Sequence, residues 1–113
     1  LALFPGDADV AALRHLLASG REVQADVLLA PHHGSDSSFL PAFLTAVRPR
    51  LVVASCGAFN RFGHPGKRLR QWLEEQRIPL LQTGRHGHVR VTWPLTGHKS
   101  GPPAWDTARP VRP

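Results

Sequence analysis

The sequence ADVLLAPHHGSDSS, residues 25–38, contains the transition that decides the fold. Its first half is a short apolar run bounded by turn residues, which is typical of a strand that is covered on both faces. Two adjacent histidines and a glycine follow it directly. The pattern predicts a strand that delivers His32 and His33 to the edge of a sheet, while two solvated rings on an ordinary turn are the alternative interpretation.

Helices are predicted on both sides of this segment, where apolar residues recur at helical spacing. Asp9 caps the first helix, and Gly20 ends it in the left-handed conformation. Ser37 or Ser38 caps the second helix, in which Pro41 falls in the first turn. The predicted helices cover residues 10–19, 39–47 and 64–78.

Strands alternate with these helices, which implies mostly parallel pairing and helices packed on a sheet face. The last two predicted strands are joined by a turn at residues 84–87. The sequence therefore predicts an α/β fold. Besides the strand within residues 25–31, strands are predicted at residues 1–5, 49–57, 79–83 and 88–93.

Length and composition predict one small domain. The chain has 113 residues, of which 42% are hydrophobic, and no apolar run is long enough to span a membrane. Residues 94–113 are rich in Pro, Gly and Arg and predict a flexible tail. Cys56 is the single cysteine, so an internal disulfide is excluded, and we expect it to be a small core residue. A chain that begins inside a strand is expected to be cut from a longer protein.

The net charge of +6 favours acidic partners such as nucleic acid. The basic residues are spread over helix faces and the tail, so a merely solvated surface is an equally good interpretation.

Three polar segments follow the three clearest strands, where the active site of a parallel sheet is expected. They are Gly6–Asp7, residues 32–35 and the loop at 57–65. Each has an ordinary explanation, because Asp7 can cap a helix and Asn60 and His64 can belong to a turn. Their shared location favours a site. The remaining histidines are expected to be surface residues: His15, His86, His88 and His98.

The segments FPGDAD, ADVLLAPHHGSDSS, RPRLVVASCGAFNRFGHP and GHVRVTW together resemble the C-terminal metallo-β-lactamase-like domain of the ComEC family of DNA-uptake competence proteins. The resemblance covers residues 1–93 and implies the C-terminal half of an αββα sandwich. It also implies one or two zinc ions, or manganese, that activate water for hydrolysis. By position, Asp7 corresponds to a bridging metal ligand and His33, or His32, to a later ligand.

His64 corresponds to a last ligand or to a substrate-facing acid, and Ser35, Asn60 and His64 are candidates for phosphate contacts. Active members of the family carry further histidines ahead of the Gly-Asp motif, which this chain lacks. The chain alone is therefore expected to be inactive, to bind little or no metal and to self-associate through an exposed sheet face.

The resemblance implies metal-dependent hydrolysis of DNA, with single-stranded DNA as the expected form, in a parent protein of the bacterial inner membrane. This domain itself is expected to be soluble, and the channel part of the parent is its expected partner. Two alternatives stay open: a non-catalytic module that guides DNA to the channel, and a soluble metallo-hydrolase of a small ester.

Overall fold

A computed structural model describes residues 1–57, 63–93 and 103–109. Its centre is a four-stranded parallel sheet in the order β1-β2-β3-β4, so each strand lies beside its neighbours along the chain. Val27 pairs with Leu51 and Val52 with Leu80, which confirms the predicted parallel arrangement. The strands are β1 (Ala2–Leu3), β2 (Val27–Leu29), β3 (Leu51–Ala54) and β4 (Leu80–Gln82).

Helices connect consecutive strands, as a parallel sheet requires. Two single 3₁₀ turns, Pro31–Gly34 and Asp36–Ser38, lie between β2 and the next helix. The three predicted helices are present with slightly shorter bounds. The helices are α1 (Val10–Ala18), α2 (Pro41–Val47), α3 (Lys67–Glu75) and the short α4 (Thr83–His86).

The start and end of α1 follow the sequence prediction. The Asp9 carboxylate accepts a hydrogen bond from the Ala12 backbone N–H at 2.9 Å. Gly20, just past the helix, has φ +75°, a conformation that glycine adopts without a steric penalty. Asp9 therefore provides the cap, and Asp7 is not needed for it.

The predicted cap of α2 was wrong. Leu40 occupies the cap position without a side-chain hydrogen bond, and Pro41 is the first helical residue. Ser38 is buried instead, and its hydroxyl donates to the Ala8 carbonyl at 2.6 Å. Ser37 lies in the second 3₁₀ turn. The serines therefore fix the loop before the helix and do not begin it.

The main core lies between the sheet and its helices. Apolar side chains from one face of β2 and β3 pack against the inner stripes of α1, α2 and α3, which confirms the predicted stripe on α3. Cys56 packs against the edge of this core. The largest buried members are Leu13, Leu28, Phe43, Val47, Val52 and Leu73.

The opposite face of the sheet is covered in part by a two-stranded antiparallel sheet. Its strands are β5 (Val89–Thr92) and β6 (Ala104–Thr107). Val89, Val91 and Trp93 pack on a second apolar cluster. The predicted turn at residues 84–87 was wrong, because residues 83–86 form α4 and β5 pairs with β6 rather than with β4.

Residues 104–107 belong to the segment that the sequence predicted to be a flexible tail, and they form β6. The pairing with β5 explains this strand, since Arg90 and Asp106 meet across the pair at 3.0 Å. The rest of the predicted tail, residues 94–102 and 110–113, lies outside the described residues.

An apolar groove of about 580 Å³ remains on the partly covered face, between β5 and the β1 edge. Phe4 and Leu29 line it together with Val91, and the Phe4 side chain is 71% exposed. Within the described part of the chain, no helix has both the length and the apolar character that a membrane crossing demands.

We expect Phe43→Ala to lower the free energy of unfolding by about 3–5 kcal/mol, because the ring is fully buried and its removal leaves a cavity. Leu1→Ala is the matched control and should change it by less than about 0.5 kcal/mol, since that side chain is exposed and lies outside the apolar groove. Urea unfolding followed by circular dichroism measures both. Equal losses in the two variants would contradict the assignment of the core.

We also expect the 113-residue chain to self-associate at micromolar concentration, because the groove and the neighbouring Phe4 leave apolar surface in water. Light scattering over a concentration series measures this, and Phe4→Asp should shift the chain toward monomer. A clean monomer with a cooperative melt would contradict the expectation.

Candidate functional site

The carboxyl ends of β1, β2 and β3 meet at one edge of the sheet because the strands are parallel. The loop after β1 carries Gly6 and Asp7, and the loop after β2 carries the two histidines. These loops are joined directly, since the His32 backbone N–H donates to the Gly6 carbonyl at 2.7 Å. Asp7 is exposed in the same loop. Polar residues from separate parts of the chain are thus assembled at this edge.

Both histidines after β2 have left-handed backbone conformations. His32 has φ 49° and ψ 47°, and His33 has φ 57° and ψ 20°. Such values are uncommon for residues other than glycine, and each costs roughly 1–2 kcal/mol. The surrounding contacts therefore hold the rings in a conformation that the backbone alone disfavours.

The hydrogen bond of His33 defines its tautomer. Its Nδ1 lies 2.7 Å from the carbonyl oxygen of Ser55, just after β3. A carbonyl can only accept, so Nδ1 carries the proton and donates it. In the neutral ring Nε2 then has a free lone pair, which can accept a proton or bind a metal ion.

His64 completes a group of three imidazoles. Its ring centroid lies 5.8 Å from that of His32 and 6.4 Å from that of His33. The His32 and His33 centroids are 6.3 Å apart. We call these three residues the histidine cluster. It joins the loop after β2 to the loop before α3.

Two glycines allow those loops to touch. A Cβ on Gly34 would lie 2.7 Å from Pro65 Cβ, and a Cβ on Gly66 would lie 2.1 Å from an oxygen of Asp36. The Gly66 backbone N–H also donates to the Gly34 carbonyl at 2.8 Å. Gly34 has φ +87° and no room for a side chain, so this contact requires glycine there, whereas a side chain at position 66 would have to displace the Asp36 carboxylate.

A serine hydroxyl lies beside the His32 ring and bonds to a second serine. Ser37 Oγ lies 3.3 Å from His32 Nδ1 and 2.9 Å from Ser35 Oγ. Ser35 also accepts from the Ser37 backbone N–H at 3.2 Å. The predicted phosphate contact Ser35 therefore has a structural role in the 3₁₀ turn, and the prediction itself stays open.

The cluster changes the protonation of His64. Burial lowers the pKa of His64 below its usual value of 6.5, and the nearby charges of His32 and His33 lower it further. Asp36 acts in the opposite direction. His64 is therefore neutral at pH 7 and is ready to accept a proton.

Cys56 also lies at this edge of the sheet, but its thiol is not activated. Burial raises the pKa of the Cys56 thiol, and the charge of Arg85 opposes this only in part. A protonated thiol is a poor nucleophile. Cys56 is consistent with the small core residue that the sequence predicted.

The structure thus brings together three of the predicted site residues, His32, His33 and His64. Asp7 lies in the adjoining loop, with its carboxylate exposed. Asn60 lies outside the described residues. Sequence reasoning missed Asp36, whose signal is its place in the same HHGSD segment and its fit against Gly66.

The histidines predicted at the surface differ from one another. His15 and His88 are exposed. His86 is half-buried, and its Nδ1 accepts from the Gln82 backbone N–H at 3.0 Å. His98 lies outside the described residues.

Across residues 1–57, 63–93 and 103–109, no three or more His, Cys, Asp or Glu side chains are placed to hold a metal ion together.

Similarity to known proteins covers most of the chain. It is 32% identical over 87 residues to ComE operon protein 3 of Bacillus subtilis, which is 76% of this chain and 11% of that protein. It is 35% identical over 89 residues to Competence protein ComA of Neisseria gonorrhoeae, or 78% of this chain and 13% of that protein. Recombination protein 2 of Haemophilus influenzae is 32% identical over 68 residues, 60% of this chain and 9% of that protein.

The chain thus spans about a tenth of the length of these relatives and is homologous to a segment of two competence proteins. No protein-family profile matches the chain. No solved structure matches it either.

We expect the pKa of His64, measured by NMR titration of its ring proton, to lie below 6.5. His32→Asn should raise this pKa because it removes a repelling charge, and asparagine tolerates the left-handed backbone. Asp36→Asn should lower it. The unfolded chain takes up this proton at higher pH, so stability begins to fall as the pH drops below about 6.5 and falls until the pH passes the lowered pKa of folded His64. A pKa that neither variant moves would contradict the proximity of these groups.

Proposed function

Because the chain is homologous to a segment of two competence proteins, we propose that it is part of a ComEC-type DNA-internalisation protein of the bacterial inner membrane. In this proposal the segment belongs to a metallo-β-lactamase-like domain that hydrolyses the phosphodiester backbone of DNA, most readily as a single strand, during uptake. The channel part of the same protein is the partner that receives the DNA.

The observation that supports this proposal best is the histidine cluster, whose ring centroids lie 5.8–6.4 Å apart at the carboxyl edge of the sheet. Imidazoles can bind phosphate oxygens, move protons and coordinate metals, which are the tasks of phosphodiester hydrolysis. The strained backbone of His32 and His33 is a second support, because such conformations concentrate at functional sites.

The chemistry of the cluster assigns different tasks to its members. Neutral His64 accepts a proton from the attacking water, whose oxygen bonds to phosphorus as the bond to the leaving oxygen breaks. His64 then donates this proton to the leaving oxygen, which is the acid role that the sequence suggested. His33 presents Nε2 to the phosphate region, since its Nδ1 is held by Ser55.

The resemblance also implies one or two metal ions, which would stabilise charge on the phosphate. That charge stabilisation is separate from the proton transfers assigned to His64, so cleavage depends on both. Asp7, His33 and His32 remain the candidate metal ligands, and Asp7 offers an exposed carboxylate in the loop next to His32.

A non-catalytic module that guides DNA is the second candidate. It is favoured by the net charge of +6, which favours acidic partners such as nucleic acid. Such a module would bind DNA through its basic surface and would not cleave it.

In the full-length protein, we expect His64→Ala to lower the rate of single-stranded DNA cleavage by roughly 100- to 10,000-fold, the usual contribution of general acid–base catalysis. Metal content should stay intact if His64 is not a ligand. Asp7→Ala should lower both metal content and cleavage, and His33→Ala should lose mainly one ion. Cleavage of a labelled oligonucleotide and elemental analysis are measured on each variant.

His15→Ala is the matched control, because His15 is exposed on α1 and lies outside the histidine cluster. Its cleavage rate and metal content should equal those of the unmodified protein. Unchanged cleavage in His64→Ala, His33→Ala and Asp7→Ala would reject the catalytic proposal and favour the guiding module.

A further inference from the structure

The charged residues of helix α3 are arranged so that they oppose the helix dipole. Lys67, Arg68 and Arg70 lie in or next to its first turn, and Glu74 and Glu75 are its last two residues. The N-terminal end of a helix has a partial positive charge and the C-terminal end a partial negative charge, so both groups oppose the dipole. Interaction with the helix dipole therefore does not explain this pattern.

The side chains of all three cations are exposed. Among the described residues, the ion pairs use the carboxylates of Asp26 and Asp106, far along the chain from α3. Arg68 lies over the Phe39 ring, 4.8 Å from its centroid, a cation–π contact that supports the guanidinium without neutralising it. We call Lys67, Arg68 and Arg70 the α3 basic surface.

This surface begins three residues after His64. The contact between Gly66 and Gly34, with Asp36 packed against Gly66, holds the start of α3 against the loop that carries His33. The α3 basic surface therefore flanks the histidine cluster.

The spacing of the cations indicates the shape of the ligand. Successive helical residues are rotated by about 100°, so the three side chains spread over roughly 160° of the helix. They cannot converge on one small anion. An extended polyanion with phosphates at regular intervals can contact them in turn, and arginine binds such phosphates in a bidentate manner.

We propose that Lys67, Arg68 and Arg70 bind successive phosphates of a nucleic acid strand and lead its backbone to the histidine cluster. This inference rests on the proposed function for the choice of DNA as the ligand. What it adds is the surface that binds the DNA strand, and it assigns that surface to helix α3.

The test is the salt dependence of binding to a fluorescently labelled single-stranded oligonucleotide, measured by anisotropy with the full-length protein. Lys67→Glu and Arg70→Glu should each weaken binding and reduce the slope of log K against log salt by about 0.7 per lost phosphate contact. In the 113-residue chain, Lys67→Glu should at the same time raise Tm by about 1–5 °C, because it places an anion at the helix start. Weaker binding together with higher stability is a result that misfolding cannot produce.

Arg21→Glu is the matched control, since it makes the same change in charge at an exposed site after α1, away from the histidine cluster. It should leave the slope unchanged within about 0.3. Glu75→Lys is a second control, because it also improves the interaction of side-chain charge with the helix dipole but removes no cation. The slope of log K against log salt should therefore not fall in this variant.

Two results would overturn the inference in different ways. If the unmodified protein binds the oligonucleotide and both α3 variants behave like Arg21→Glu, the α3 basic surface is not the DNA-binding surface, and the proposed function stands. If the unmodified protein does not bind single-stranded DNA even at low salt, both the inference and the choice of DNA as substrate fail.

Discussion

The parallel pairing of β2 with β1 on one side and β3 on the other is the constraint on which the rest of the structure depends. It buries the apolar residues of β2 and β3 and requires a helix between consecutive strands. It also places the carboxyl ends of β1, β2, β3 and β4 at one edge of the parallel sheet. The histidine cluster forms because the loops that follow these strands lie next to one another at that edge.

Close contact between two loops converts that shared edge into a defined site. Gly34 permits an approach that a side chain would block, Gly66 leaves room for the Asp36 carboxylate, and the Ser55 carbonyl orients the His33 ring. The left-handed backbone at His32 and His33 is disfavoured by itself and is maintained by these contacts. The free-energy cost of this backbone strain is offset by burial of the apolar core beneath the sheet.

The sequence predicts those parts of the fold that depend on local patterns. Short apolar runs predicted the strands, and helical spacing with the Asp9 cap predicted α1. The pairing of β5 with β6 could not be predicted, because it depends on contacts between distant residues in a segment without apolar periodicity. For the site, the sequence indicated His32, His33 and His64 through their positions after strands. It did not indicate Asp36, because its importance comes from packing against Gly66.

The central claim is that the histidine cluster contacts a phosphodiester backbone. It is tested most directly by recording the NMR signals of the histidine rings while a single-stranded oligonucleotide is added. The account predicts that the ring signals of His32, His33 and His64 shift together, while those of the exposed His15 and His88 stay in place. Shifts confined to His15 and His88, or no shift in the cluster at saturating DNA, would contradict it.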